Sequence, residues 1–207
     1  MNDPQWLRWA REVRALAQAG LAYSNSPFDQ ERYTALRDLA AEMAATCAEV
    51  DPVMVQELFA AQVGYETPKV DVRGVVFRDG KLLLVRELSD GGRWTLPGGW
   101  ADINEPPSKA VEREVWEESG YETHAVKLLM LYDRSLHGHP PHPFTIYKLF
   151  FLCDLCGGEP MDSHETGGAT FFAEDAIPEL SVSRITPEEI ARLFEHHRHP
   201  EWSTDFD

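Results

Sequence analysis

Glu114, Glu117 and Glu118 are the residues whose types and spacing could do chemistry. On a helix at about 100° per residue, Glu117 lies about 300° and Glu118 about 40° round from Glu114, so all three share one face roughly 100° wide. Like charges so placed repel by roughly a few tenths of a kcal/mol per exposed pair, and by more when desolvated. Something cationic must compensate them. Arg113, i,i+4 to Glu117, supplies part of the charge. A hard divalent ion bound through oxygen, Mg²⁺ or Mn²⁺, would supply the rest. Glu112 is an internal control: about 200° from Glu114, it is expected to face solvent. Pro106 and Pro107 suit the first turn of this helix and Gly120 its left-handed exit, which predicts a helix over 106–119.

The wider spacing resembles the Nudix box: Gly99, five residues, Glu105, seven residues, Arg113-Glu114-Val115, one residue, Glu117-Glu118, one residue, Gly120. Tyr121 stands where an aliphatic residue is usual, a departure expected to touch core packing. The resemblance implies a hydrolase of nucleoside diphosphates linked to another moiety, built as an α/β/α sandwich with a mixed sheet. It implies Glu114 and Glu118 as the main metal ligands, with Glu117 a further or water-mediated one. Gly99 would offer its carbonyl, Arg113 would orient the glutamates, and Glu105 would support them by capping or hydrogen bonding. Divalent ions in such a site neutralise the diphosphate, acidify water and clamp the reacting oxygens. The family often carries a general base on a loop before a late strand. Here that stretch is Met161–Phe172, which makes Glu165 the candidate base or third metal ligand, with Asp162 and His164 as weaker alternatives.

Trp6-Leu7-Arg8-Trp9-Ala10 and Ala17–Tyr23 resemble the helical N-terminal domain of a bacterial Nudix subgroup. Leu96–Asp102 and Tyr147–Phe151 are similar to the same group. That subgroup acts on X-linked nucleoside diphosphates, ADP-ribose and CDP-choline among them, and its members are commonly homodimers. A hydrolase of nucleoside triphosphates or RNA ends is one alternative, and a nucleotide sensor without turnover is another. The complete set of carboxylates argues against the sensor. His139 and His142, in the loop His137–Pro143, could contact the diphosphate or nucleotide, or the loop could be a stiff surface connection. Arg184 could pair with phosphate or make a structural salt bridge. Phe28, Tyr33, Tyr65, Trp94 and Trp100 are all candidates to stack on the base. Cys153-x-x-Cys156 ends a predicted strand rather than opening a helix, and His196-His197-Arg198-His199 lacks partner ligands, so neither reads as a redox or metal site.

The elements that must position these residues follow from pattern. Residues 1–63 show apolar spacing near 3.6 in three stretches, with Gly20 a stop for the first. They read as a small helical domain that needs a partner surface, as a dimer contact or lid. Residues 64–69 read as a linker and 70–207 as the hydrolase domain. Val70–Phe77 and Lys81–Arg86 predict a hairpin around Asp79-Gly80. Further strands are expected near 94–96, 125–134, 144–154 and 169–172, with helices at 174–179 and 187–197. The 19 basic and 35 acidic residues give a formal net charge of −16, which argues against nucleic acid or an anionic membrane as partner. Residues 99–121 hold six acidic side chains against two basic ones. No apolar run long enough to span a membrane occurs, the opening residues lack a signal-peptide pattern, and three cysteines make no disulfide framework. The expected compartment is the cytoplasm, and the expected partner a nucleotide.

Overall fold

The apolar periodicity of the first sixty residues becomes three helices, α1 Gln5–Tyr23, α2 Pro27–Ala48 and α3 Pro52–Ala60. Ser26 caps α2 by accepting from Asp29 N, and Asp51 caps α3 by accepting from Val53 N, each just before a proline. Gly20 is not a stop. α1 runs on to Tyr23, and a Cβ at Gly20 would collide with the Tyr33 ring, so this glycine lets α1 and α2 approach. The packed seam consists of Ala10, Ala40, Ala41, Ala44 and Ala45 with Val55 and Phe59. Leu36 and Leu39, on the expected apolar stripe, are exposed instead, as are Leu16, Tyr23 and Phe28. Buried Arg14 lies over the rings of Phe59 and Phe144, and its Nε donates to Glu66.

The computed structural model describes residues 3–161, 163 and 166–207. It divides into two compact units: the chain up to Pro68 with Pro141–Thr145, and Lys69–Pro140 with Ile146–Asp207. Among the described residues, no helix is long and apolar enough to cross a membrane.

In the second unit, β1 (Lys69–Val75), β2 (Phe77–Arg78), β3 (Lys81–Glu87) and β4 (Arg93–Thr95) precede α4 (Pro107–Ser119). β5 (Tyr121–Asp133), β6 (Ile146–Gly158), β7 (Thr166–Phe172), α5 (Pro187–Arg198) and β8 (Asp205–Phe206) follow. A mixed sheet has the order β1-β6-β5-β8, with β1 parallel to β6. In a second, antiparallel sheet β3 pairs with β2, β4 and β7. The expected hairpin is therefore shorter than its sequence suggests. The two-residue turn holds, with Asp79 and Gly80 at φ 53° and 72°, but the chain changes sheets at Val76. The helix expected at 174–179 is one 3₁₀ turn, Glu174–Ala176, because Pro178 forces Ile177 into extended backbone.

Alternation along the strands sorts the core into two layers. Val72, Val76 and Leu83 meet Ala110, Val111 and Val115 of α4. Val75, Leu82, Leu84 and Phe150 meet Ile190, Leu193 and Phe194 of α5. The sheets thus lie between helices, as expected of an α/β/α sandwich. Tyr121 is buried in the α4 layer, edge-on to Phe171, so its departure from an aliphatic residue is absorbed by packing.

Candidate active site

α4 begins at Pro107, with extended Pro106 before it, and ends at Gly120, whose φ of 78° a side chain would resist. Ahead of it, residues 97–101 run along β1: Gly99 O accepts from Val72 N (2.8 Å), Pro97 O from Gly74 N (2.8 Å) and Val70 O from Ala101 N (3.0 Å). Gly98 sits at φ 143°, and a Cβ there would overlap the Val72 carbonyl. This close approach lets Gly98 N donate to Glu118 Oε2 at 2.9 Å. The Glu114 carboxylate lies against Gly99, about 3.1 Å from where a Cβ would stand.

The three glutamates do not share one environment. Glu118 is 8% exposed. The Glu114 side chain is mostly buried, whereas that of Glu117 is 48% exposed. Arg113 gathers the cluster, donating to Glu105 Oε2, Glu114 Oε1 and Glu117 Oε2, each at 2.9 Å. These bonds hold its pKa above the ordinary arginine value, Glu105 first. Burial pushes the Glu118 carboxyl up to about 7, against the charge of Arg73 and the Gly98 N–H; the charges of Glu114 and Glu87 add to the rise. Burial also raises Glu114, against its bond from Arg113.

Among the described residues, no three His, Cys, Asp or Glu side chains converge as a finished metal cage. The donor set nevertheless fits a hard divalent ion. Glu114 and Glu118 are partly desolvated oxygen donors whose charges oppose one another, and each carboxyl is pushed toward protonation by burial. Gly99 O accepts from Val72 N and so keeps one lone pair.

Two neighbouring groups escape sequence reading. On β1, buried Arg73 forks onto Asp71 and donates to Leu96 O. Burial opposes the Arg73 charge, but Asp71, then Glu118 and Glu114, hold its pKa above the ordinary value. At the end of β3, buried Glu87 accepts from Ser89 and pairs with Arg184 Nε at 3.2 Å.

Several expected positions are corrected. Glu112 faces away from Glu114 but not into solvent: its Oε1 accepts from Ala125 N at 3.0 Å and meets His124. His139 is not on an open surface loop. Its side chain is fully buried, donating from Nδ1 to Val182 O, with Nε2 against Lys148 Nζ (3.1 Å) and Glu189 Oε1 (3.0 Å). His142 belongs to the helical unit, where its carbonyl accepts from Arg11 and its Nδ1 from Phe144 N. Arg184 makes the structural ion pair, to Glu87, with further bonds to Ser89 and Ser181. Glu165, Asp162 and His164 lie outside the described residues; next to them, Thr166 Oγ1 donates to Glu118 O (2.6 Å), joining the start of β7 to the end of α4. Of the aromatic candidates, Tyr33 packs on Gly20 and Trp94 on Phe172, while Trp100, following Gly99, is half exposed.

Residues 67–194 match the model of the NUDIX domain, and residues 4–59 match a model described as a UDP-X-like, N-terminal oligomerisation domain. The Bacillus subtilis protein YjhB, provisionally named an ADP-ribose pyrophosphatase, is 45% identical over 203 residues, covering 98% of this chain and 97% of its own. A crystal structure of a UDP-X diphosphatase is 30% identical and superposes with a TM-score of 0.63, covering all of both chains. One of an ADP-ribose pyrophosphatase from Streptococcus suis is 38% identical with a TM-score of 0.61, covering 68% of this chain and all of that one.

Proposed function

Because the chain belongs to the Nudix hydrolase family and is a Nudix pyrophosphohydrolase, we propose that it splits the diphosphate bridge of a nucleoside diphosphate linked to a second moiety. The products are a nucleoside monophosphate and the phosphorylated second moiety, and the cofactor is Mg²⁺ or Mn²⁺. The observation that carries this reading is the pair Glu114 and Glu118, desolvated on one face of α4 against the Gly98-Gly99 turn.

Glu114, Glu118 and the remaining lone pair of Gly99 O would hold the cation, with Glu117 reaching it through water. A bound divalent ion supplies charge neutralisation at the diphosphate and a water of lowered pKa. Arg113 keeps Glu114 and Glu117 in place, and Glu105 fixes Arg113. Glu165 is the proposed general base.

ADP-ribose is the first substrate to test, since YjhB matches along the whole chain. UDP-linked compounds follow from the structural neighbour, and CDP-choline from the sequence resemblance. The test is a nucleotide panel with Mg²⁺, Mn²⁺ or chelator, resolving the products by chromatography. We expect AMP and ribose 5-phosphate from ADP-ribose with metal and none with chelator. An absence of turnover across the panel with both metals overturns the reading. The helical unit, with Leu16, Leu36 and Leu39 exposed, is proposed to join two copies of the chain. A concentration-independent monomer mass in light scattering would refute that.

A further inference from the structure

Arg73 is a buried cation that the proposed reaction does not use directly. It shares one face of β1 with Asp71, two residues before it. Both residues are 6% exposed. Arg73 Nε reaches Asp71 Oδ1 and Oδ2 (3.1 and 3.0 Å), Nη2 reaches Oδ1 (2.7 Å), and Nη1 donates to Leu96 O (3.2 Å). Leu96 leads directly into the segment that lies along β1. Gly98, pressed against Val72 and Arg73 so closely that a Cβ would not fit, is the residue that donates to Glu118. Direct contacts therefore run from Asp71 through Arg73 and the Leu96–Gly98 segment to Glu118.

A buried ion pair is a costly way to hold a strand, because both charges leave water and apolar residues often do as well. What the fork supplies is geometry. A guanidinium clamped by a carboxylate fixes its remaining N–H direction, and here that direction sets a carbonyl two residues from the Glu118 donor.

We propose that Arg73, oriented by Asp71, is a positioning residue that fixes the Gly98-Gly99 turn and through it the places of Glu118 and Glu114 as cation ligands. This rests on the reading of those carboxylates given above. A role limited to charge compensation has the opposite sign, since removing a cation beside a metal site strengthens binding of a divalent ion.

The experiment is calorimetric titration of Mn²⁺, without nucleotide, into the wild type, R73M, R73K and E118Q, with circular dichroism to confirm folding. R73M is expected to bind Mn²⁺ at least about tenfold more weakly, the scale of losing a residue that orients a ligand. R73K keeps the charge but loses the fork, so it weakens binding in the same direction by less. Mn²⁺ binding by folded R73M that equals or exceeds the wild type overturns the proposal. Should R73M not fold with Asp71 left unpaired, R73K and the double variant D71L/R73M are read against the same two outcomes. Loss of binding in E118Q without loss in the Arg73 variants overturns this inference alone. Binding that E118Q leaves intact overturns the carboxylate reading and this inference together.

Discussion

Glu118 and Glu189 are both buried glutamates, and burial pushes both carboxyls upward. Their outcomes are opposite. Glu118 ends at about 7 and Glu189 at about 2. Glu189 has a cation in contact: Lys148 Nζ lies 3.0 Å from Oε2, His139 touches Oε1, and Thr186 N donates at 2.9 Å to complete the capping box of α5. Glu118 takes a backbone N–H from Gly98, feels Arg73 through space, and is opposed by Glu114 and Glu87. One glutamate is a finished joint between β6 and α5. The other is a charge the protein has not fully neutralised. A carboxyl pushed toward its neutral form among like charges is what the proposed cation site requires, whereas one held as the ion by contacting donors is accounted for by an internal salt bridge.

Substitutions should split along that line. E118Q and E114Q are expected to lower kcat by about 10²-fold or more, the scale of losing a transition-state electrostatic contact. Steady-state rates near wild type in both would erase the distinction. Stability should move the other way. Glu118's folded pKa lies above the unfolded 4.5, so its ionised form is disfavoured by folding. In metal-free protein, stability should therefore fall as pH rises from about 4.5 to about 7, by on the order of 1–3 kcal/mol. Chelator-treated E118Q should lack that slope in thermal melts and be no less stable than the wild type at pH 8.

K148M attacks the other glutamate. Removing one partner leaves Glu189 buried without its cation, which costs about 3–5 kcal/mol. The melting temperature should drop on the order of 10 °C, while kcat measured well below the transition stays within a few-fold. Glu189's own contribution has the sign opposite to that of Glu118. Its folded pKa is depressed, so its stabilisation is present above about 4.5 and is lost as pH falls toward 2. A K148M protein as stable as the wild type, or one that folds but loses kcat as E118Q does, would break the comparison.

What was legible in the sequence divides by distance along the chain. Arg113, Glu114, Glu117 and Glu118 sit on one helix that Gly120 ends, and helical arithmetic places them without knowledge of the fold. The Glu105–Arg113 bond spans eight residues and was within reach of the motif. The Lys148–Glu189 and Arg184–Glu87 pairs span tens of residues, and no local pattern announces them. Local pattern therefore leaves His139 and Arg184 open between a substrate contact and a structural role, because the buried partner of each, Glu189 and Glu87, lies far along the chain. Asp71 and Arg73 did leave a signal, two opposite charges on one face of an otherwise apolar strand. The helical unit misled through size, since leucines mark an apolar stripe but the seam of α1 and α2 uses alanines, which let backbones approach.

Glu112 supplies the smallest expected effect and the sharpest control. It lies two residues from Glu114 on the same helix, yet it accepts from Ala125 N and meets Lys109 and His124 on the opposite face. Despite some burial, these bonds hold its carboxyl below the ordinary glutamate value. Its stabilisation is thus present above about 4.5 and fades as pH falls, the behaviour of Glu189 in weaker form. E112Q keeps an acceptor for Ala125 N but gives up the charge, so the loss should be at most about 1 kcal/mol at neutral pH. The thermal melts of E112Q and wild type should converge in acid, and kcat should agree within about twofold. If E112Q instead lost activity on the scale of E118Q, net negative charge on α4 would be what matters, and the assignment of function to one face of that helix would fall.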